Sequence, residues 1–201
     1  DRFTDAELPS NQSWDRVLAL GRRLQILFGD MLLLASLERS GERKPTTACD
    51  LAEITTDVME DFSETAAAAQ VSLIHTSWMS SAKVLGAETE LSRLVINLLS
   101  NAMQHSPAGG AIDVSLKHQG RHFQLSITDN GPGIAEEMQG RIFDRFTRLD
   151  PSRSRLQGGS GLGLAIAQAI AVRHRAAIQV HSRTGCGSCF SLEIPAAEPP
   201  H

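Results

Sequence analysis

The stretch LVINLLSNAMQHSP, residues 94–107, carries two asparagines four positions apart, Asn97 and Asn101. Residues with this spacing lie one turn apart on the same face of an α-helix. An amide carbonyl oxygen is a neutral, hard ligand of the kind that Mg²⁺ accepts when phosphates and waters complete its shell. The pair alone favours the solvent-exposed face of an amphipathic helix, and a magnesium-nucleotide site is the alternative. The two glycine motifs that follow in the chain reverse this preference and make the nucleotide site the prediction.

A second motif, DNGPGI at residues 129–134, follows a predicted strand. The carboxylate of Asp129 can accept a hydrogen bond from the exocyclic amino group of adenine, and it would repel O6 of guanine. Leaving such a buried group unpaired costs ~1–3 kcal/mol, which is enough for selectivity. Gly131 and Gly133 let the backbone turn sharply and approach a base closely. The same residues are also strong turn formers without any ligand.

A third motif, GGSGLGLAIAQAI, begins at Gly158 and runs from three alternating glycines, Gly159, Gly161 and Gly163, into a predicted helix. Phosphates bind favourably at helix N-termini, where free N–H groups and the helix dipole meet the anion. A Rossmann fingerprint would follow a strand, whereas this motif follows a long polar loop. The chain contains no G-x-x-x-x-G-K-[ST] sequence, which excludes a Walker site.

Composition is that of a globular domain. The 201 residues suit one sizeable domain with a small appendage, and 41% are hydrophobic and 21% charged. A net charge of −4 argues against a nucleic-acid partner. No apolar stretch reaches the ~18 residues of a membrane span, and no signal peptide is evident. Because the chain starts without Met, we expect an excised fragment of a longer protein.

Three cysteines, Cys49, Cys186 and Cys189, fit a reducing compartment better than a disulfide framework. Cys186 and Cys189 form a C-x-x-C pair, but zinc needs four ligands and no second pair lies at suitable spacing. We expect this pair to flank a hairpin turn, and we assign it no redox or metal role.

The N-terminal region predicts one long helix over residues 14–40, ended by Gly41 and Pro45. Its apolar residues are spaced 3, 4, 3, 4, 3, which is a heptad seam: Val17, Leu20, Leu24, Leu27, Met31 and Leu34. Such a stripe either packs on the helix's own domain or forms a partner surface.

The remaining pattern predicts helices alternating with antiparallel strand pairs, hence an α+β two-layer sandwich. Asp50 with Glu53 resembles a capping box that opens a helix to about Ala69. The other helices are expected at residues 87–105 and 161–174, and the strands at 71–75, 111–118, 122–129, 177–181 and 188–194.

In order and spacing, the three motifs resemble the N box and the two glycine boxes of bacterial sensor histidine kinases. The run IFDRF, residues 142–146, falls at the family's F box. The likeness covers about residues 15–195. It implies a Bergerat-type ATP-binding fold at 45–195, with ATP and Mg²⁺ as cofactors. It also implies the second helix of a dimerisation domain within 1–44, and a disordered tail at 196–201.

The resemblance also implies roles for single residues. Asn101 would be the direct metal ligand and Asn97 its support or a phosphate contact. Gln104 stands where many members have Lys, and His105 where they often have an aromatic residue near the nucleoside. The expected nucleotide contacts are Asn97, Asn101, Gln104, His105, Asp129, Gly131, Gly133, Ile134, Gly159, Ser160, Gly161, Leu162 and Gly163.

The loop at 147–160 would be the family's ATP lid. Arg153 and Arg155 match its basic positions, and a guanidinium suits phosphate and the charge that develops on the transferred group. A solvated basic loop is the alternative. Phe143 and Phe146 are expected to anchor this lid in the core.

One departure from the family concerns the phosphoacceptor. None of the seven histidines is followed by an acidic residue, so the H-E-x-x-x-P context is absent. The substrate histidine would therefore lie in a parent protein or on a partner. The resemblance further implies a response regulator, a homodimeric parent and a cytoplasmic location, with the parent anchored in the inner membrane or not.

A second departure separates kinases from hydrolases. The gyrase, chaperone and mismatch-repair ATPases share this fold but place a Glu one turn before the metal-binding Asn. Here that position is Asn97, and an amide cannot accept a proton from water. This favours phosphoryl transfer to histidine over ATP hydrolysis. A regulatory ATP-binding module without catalysis and a relative that phosphorylates Ser or Thr are the alternatives.

Overall fold

The computed structural model describes residues 11–39, 46–147 and 160–197. The helices within these ranges are α1 (Asn11–Arg39), α2 (Leu51–Ala68), α3 (Glu88–His105), α4 (Glu136–Gln139) and α5 (Gly163–Arg173). The strands are β1 (Ala48–Asp50), β2 (Ser72–Ser77), β3 (Lys83–Leu85), β4 (Ala111–Gln119), β5 (His122–Asp129), β6 (Ala177–Ser182) and β7 (Ser188–Pro195).

Five strands form the central sheet in the order β2-β4-β5-β7-β6, where only β2 and β4 run parallel. Alternate residues of β5 are buried, Phe123, Leu125 and Ile127, as a strand with one covered face requires. The covering layer contains α3 and α5, whose side chains Leu94 and Ile166 are fully buried. The predicted α+β two-layer sandwich is confirmed.

A separate two-stranded sheet, β1 with β3, was not predicted, since three residues are too few to show alternation. Asp50 stabilises it by joining distant segments. Its carboxylate accepts hydrogen bonds from Ala52 N at 3.0 Å, Ala82 N at 2.8 Å and Ser81 Oγ at 2.7 Å, and it pairs with Lys83. Burial alone would raise the pKa of Asp50, but these hydrogen bonds outweigh it and lower the pKa to about 2.

His174 fixes the end of α5 to the start of α3. Its ring is buried, Nε2 accepts from Ala87 N at 3.1 Å, and Nδ1 lies 2.8 Å from the carbonyl of Ile170. This pattern requires the neutral ring with its proton on Nδ1. Burial, the largest cause, lowers the pKa of His174. The helix that carries the two asparagines is therefore held by a histidine that must stay uncharged.

The apolar seam of the long helix α1 is exposed at one end and buried at the other. The predicted seam is largely exposed, including Val17, Leu20 and Leu24 at 58–59%. The C-terminal end of the same seam packs on the sandwich: Leu34 is buried in the common core together with Leu37, and Leu27 is partly buried against it. Packing on the helix's own domain is therefore confirmed for the C-terminal end of the seam, and a partner surface stays a prediction for its exposed N-terminal part.

Two residues of the predicted disordered tail, Ala196 and Ala197, contact the small sheet. Ala196 forms a bridge with Val84, and Ala197 N donates to the carbonyl of Lys83 at 2.8 Å, so these two residues are ordered against β3. Residues 198–201 lie outside the described ranges. Among the helices that are described, none combines the length and apolarity needed to cross a bilayer.

Candidate nucleotide site

The three sequence motifs meet at one end of the helical layer. A Cβ built on Gly131 would lie 2.7 Å from the carbonyl oxygen of His105, so the loop after β5 contacts the end of α3. A Cβ on Gly163 would lie 3.5 Å from Oδ1 of Asn97. The start of α5 therefore contacts the face of α3 that carries Asn97 and Asn101, here called the asparagine face. Asn97 and Gly163, more than 60 positions apart in the sequence, are thus neighbours in the fold.

Four polar side chains lie on the part of α3 that these loops contact. Asn97, Asn101, Gln104 and His105 are all half-buried. Nδ2 of Asn97 is buried and has no hydrogen-bond partner among the described residues. Burying an amide N–H group without a hydrogen-bond acceptor costs free energy. A bound acceptor, such as a phosphate oxygen, would remove that cost. The donor set therefore fits a metal-bound nucleotide.

Asp129 lies at the end of β5, as predicted, and is only 2% exposed. Burial raises the pKa of its carboxyl group, opposed by the N–H of Gly131, by nearby His105 and by Ser188. Oδ1 accepts from Gly131 N at 2.8 Å, which holds the side chain in the turn. The buried carboxylate of Asp129 can therefore accept a hydrogen bond from a nucleotide base that carries an exocyclic amino group, such as adenine.

The first glycine box is held in place by contacts with the β6–β7 hairpin and α4, which the sequence did not indicate. Gly133 has φ +71°, and a Cβ there would meet the carbonyl of Arg183 at 2.1 Å. Ser182 Oγ accepts from Ile134 N at 2.8 Å. Gln139 Nε2 donates to the carbonyls of Ile134 at 3.1 Å and Ser182 at 2.8 Å. The β6–β7 hairpin thus fixes the loop. No sequence pattern marks Ser182 or Gln139 for this role.

The second glycine box packs against the F box. Gly161 has φ +69°, and a Cβ there would lie 2.9 Å from Cα of Phe146, whose N–H donates to the Gly161 carbonyl at 2.8 Å. Ser160 Oγ accepts from Leu162 N at 3.1 Å and so fixes the entry to α5. Arg153, Arg155 and Gly159 lie outside the described residues.

The prediction that both F-box phenylalanines anchor the core is wrong for one of them. Phe143 packs edge-on against Phe190 at 6.5 Å, as predicted, but Phe146 is 57% exposed. The positive φ of Phe146, 60°, accompanies the close backbone contact with Gly161. The most deeply buried hydrophobic side chain of this segment is Ile142.

Two other features lie apart from the nucleotide residues. A groove of about 500 Å³ between α2 and β2 is lined by residues such as Met59, Ala66 and Leu73, and by none of the predicted contacts. The C-x-x-C pair flanks the β6–β7 hairpin as expected, with Cys186 in the exposed turn and Cys189 on β7.

Residues 86–198, more than half of the chain, match the family model of histidine kinase-, DNA gyrase B- and HSP90-like ATPases. Among curated relatives, the sensor histidine kinase RppB of Synechocystis is 43% identical over 87% of this chain and 38% of its own length. The sensor-like histidine kinase SenX3 of Mycobacterium tuberculosis is 38% identical over 90% of this chain and 44% of its own. The chain thus spans less than half the length of these relatives.

Solved structures agree in fold. The mycobacterial sensor histidine kinase MprB superposes with a TM-score of 0.64 at 29% identity, covering 75% of this chain and 97% of that one. The Acinetobacter baumannii histidine kinase AdeS superposes with a TM-score of 0.77 at 23% identity, covering 96% and 89%, and supports the fold alone. With its asparagine face and two glycine boxes gathered at one site, the chain belongs to the histidine kinase-, DNA gyrase B- and HSP90-like ATPase family, and within it is similar to the catalytic domains of sensor histidine kinases.

Proposed function

We propose that this chain binds Mg·ATP between α3, the loop after β5 and the start of α5, and transfers the γ-phosphoryl group to a histidine outside the chain in two-component signalling. The observation that supports it most is the unpartnered buried Nδ2 of Asn97, on a helix that both glycine boxes contact. A site built of neutral amides and glycine loops suits a ligand that brings its own negative charge.

Each group has an assigned task. Asn101 would hold Mg²⁺ through its carbonyl oxygen, and the metal, when bound, neutralises charge on the phosphates. The amide of Asn97 would donate to a phosphate oxygen, with Gln104 as a further neutral donor. Asp129 would accept from the adenine amino group, beside His105. Arg153 and Arg155, in the lid region, would contact phosphate during transfer.

Further contacts come from the glycine boxes. Glycines let the backbone approach the base closely, and the N-terminus of α5 favours an anion such as phosphate. The contacts assigned there are Gly131, Gly133, Ile134, Gly159, Ser160, Gly161, Leu162 and Gly163.

Transfer to a histidine is favoured over hydrolysis because no base for water stands at the asparagine position. A carboxylate at residue 97 could accept a proton from an attacking water, whereas the Asn97 amide cannot. Acceleration would then come from positioning of the phosphate and stabilisation of its charge. Such a site keeps ATP intact until an imidazole nucleophile arrives.

The assembly around this domain follows the same proposal. Residues 1–44 would belong to a dimerisation region, with the exposed seam of α1 as a bundle surface, and residues 45–195 to the catalytic domain. A response regulator would receive the phosphoryl group from the histidine. The parent would be a homodimer whose kinase portion is cytoplasmic, with or without an inner-membrane anchor.

The direct test of the ligand uses the chain alone with γ-labelled ATP. We expect Mg-dependent binding that ATP and ADP compete for and GTP does not, with no label retained on the protein. Acid-labile phosphate on the isolated chain would contradict a substrate histidine located elsewhere. Absence of Mg-dependent ATP binding would contradict the proposal as a whole.

A further inference from the structure

The side chain of Ser182, the last residue of β6, joins the two segments that surround Asp129. Its hydroxyl contacts Ile134 at the end of the first glycine box, and Gly187 and Ser188 in the β6–β7 hairpin. We infer that Ser182 is a positioning residue for adenine recognition, because it holds the first glycine box and Asp129 in the arrangement that binds the base. This inference rests on the proposed nucleotide site and adds a determinant of its base specificity.

The hydroxyl of Ser182 uses its full hydrogen-bonding capacity on these contacts. Its oxygen accepts from Ile134 N at 2.8 Å, and its single proton goes to the Gly187 carbonyl at 2.7 Å, since a carbonyl can only accept. In the contact of 3.0 Å between the two hydroxyl oxygens, Ser188 is therefore the donor. One donated and two accepted hydrogen bonds fix the position of the Ser182 side chain relative to both segments.

The hairpin residues that Ser182 holds lie directly against Asp129. Ser188 is opposite Asp129 in the register of β7 with β5. Burial raises the pKa of the Asp129 carboxyl group, and the backbone N–H of Ser188 is among the hydrogen bonds that oppose this rise. Gly187 packs still more closely, since a Cβ built on it would lie 1.9 Å from the carbonyl oxygen of Asp129. A displacement of residues 187–188 would therefore move Asp129 or remove a hydrogen bond to its carboxylate.

The first glycine box is tied to Ser182 a second time through α4. Gln139 Nε2 donates to the carbonyl of Ile134 at 3.1 Å and to that of Ser182 at 2.8 Å. Ile134 is thus bonded through its N–H and its carbonyl, and both bonds connect it to Ser182, one directly and one through Gln139. Because Gly131 N donates to Oδ1 of Asp129 at 2.8 Å, a shift of this loop would also reach the carboxylate.

The groups assigned to the metal and the phosphates belong to other elements. Asn97 and Asn101 lie on α3, and Ser160 precedes α5. The hydrogen bonds of Ser182 and Gln139 end instead on the loop after β5 and on the β6–β7 hairpin. Loss of the Ser182 hydroxyl should therefore weaken recognition of the base more than binding of the phosphates. A general loss of folding would weaken both alike.

The test compares ATP with purine riboside triphosphate, which carries hydrogen in place of the 6-amino group of adenine. Calorimetry on the full chain with Mg²⁺ gives both dissociation constants, and their ratio is the preference for the amino group. Ser182→Ala should weaken ATP binding about fivefold and change binding of the analogue less than about twofold, because only the contact with the amino group is misplaced. Ser182→Thr keeps a hydroxyl and should retain most of the preference.

Two further variants complete the test. Ser126→Ala is the matched control, because it removes another half-buried strand serine whose hydroxyl lies 3.0 Å from that of a second serine, Ser191, and it should keep the ratio. Gln139→Glu loses both donated hydrogen bonds and should lower the ratio in the same direction as Ser182→Ala. It decides the question if Ser182→Ala does not fold.

The outcomes separate this inference from the proposed function. An unchanged ratio in folded Ser182→Ala or in Gln139→Glu would overturn the positioning role, as would an equal fall in Ser126→Ala. An unmodified chain that binds both nucleotides equally well would overturn it too, with ATP binding left intact. No Mg-dependent binding of ATP to the unmodified chain would overturn the proposed function itself.

Discussion

At the scale of single residues, an amide and a carboxylate differ in what they can hold. Asn97 and Asn101 supply neutral oxygens and N–H donors, whereas Asp129 supplies only an acceptor. All three could be predicted from the sequence, because local motifs mark them. Ser182, Gln139 and Asp30 could not be, because their contacts with the glycine boxes join segments that are far apart in the chain.

Replacing Asn101 tests the metal position. Asn101→Ala should weaken Mg-dependent ATP binding by about 10- to 100-fold, since a contact to a charged group is lost. Calorimetry with and without Mg²⁺ measures it. Ser100→Ala, an exposed neighbour on the same helix, is the matched control. Equal loss in both variants, or none in Asn101→Ala, would remove this residue from the site.

Replacing Asp129 tests recognition of the base. Asn at this position keeps an acceptor oxygen but adds an N–H₂ donor that can face O6 of guanine. Asp129→Asn should therefore lower the preference for ATP over GTP by about tenfold. Dissociation constants for the two nucleotides give the ratio directly. A ratio that stays constant in a folded variant would show that another group selects adenine.

At the scale of elements, long periodic segments were predicted well and short ones were not. The helix of the asparagine motif was expected at 87–105 and is Glu88–His105, because its apolar stripe repeats over several turns. The strands β1 and β3 and the single turn α4 are too short for a repeat to appear. The exposure of Phe146 depends on its backbone contact with Gly161, which no local pattern encodes.

The link between α3 and α5 predicts a pH dependence of stability. The pKa of His174 is lowered in the folded state, so the unfolded chain binds its proton more readily. Its contribution is complete above the unfolded value of about 6.5 and is lost as pH falls through the lower folded value. The urea midpoint should drop between pH 7.5 and pH 5.5.

The variant His174→Gln should flatten this drop, because glutamine can still accept from Ala87 N but does not titrate. His122→Gln, at an exposed strand end, should retain it. An unchanged pH profile in His174→Gln would assign the dependence to another group.

At the scale of the whole molecule, the two ends of α1 have different surroundings. The seam residue Leu34 packs on the sandwich beside Leu37, whereas Val17, Leu20 and Leu24 of the same seam are exposed. Periodicity could not predict this difference, since it reports that a helix has an apolar face and not which surface covers it. The buried residues of α1 include an acid, Asp30, that an apolar pattern does not reveal.

The most direct measurement of the central claim mixes this chain with γ-labelled ATP, Mg²⁺ and a dimerisation domain that carries a phosphoacceptor histidine but no ATP domain. We predict label on that domain that survives base and is lost in acid. It should be absent when the histidine is replaced or when Asn101→Ala replaces the unmodified chain. No label, with Mg-dependent ATP binding intact, would contradict histidine phosphorylation and favour a regulatory nucleotide-binding module.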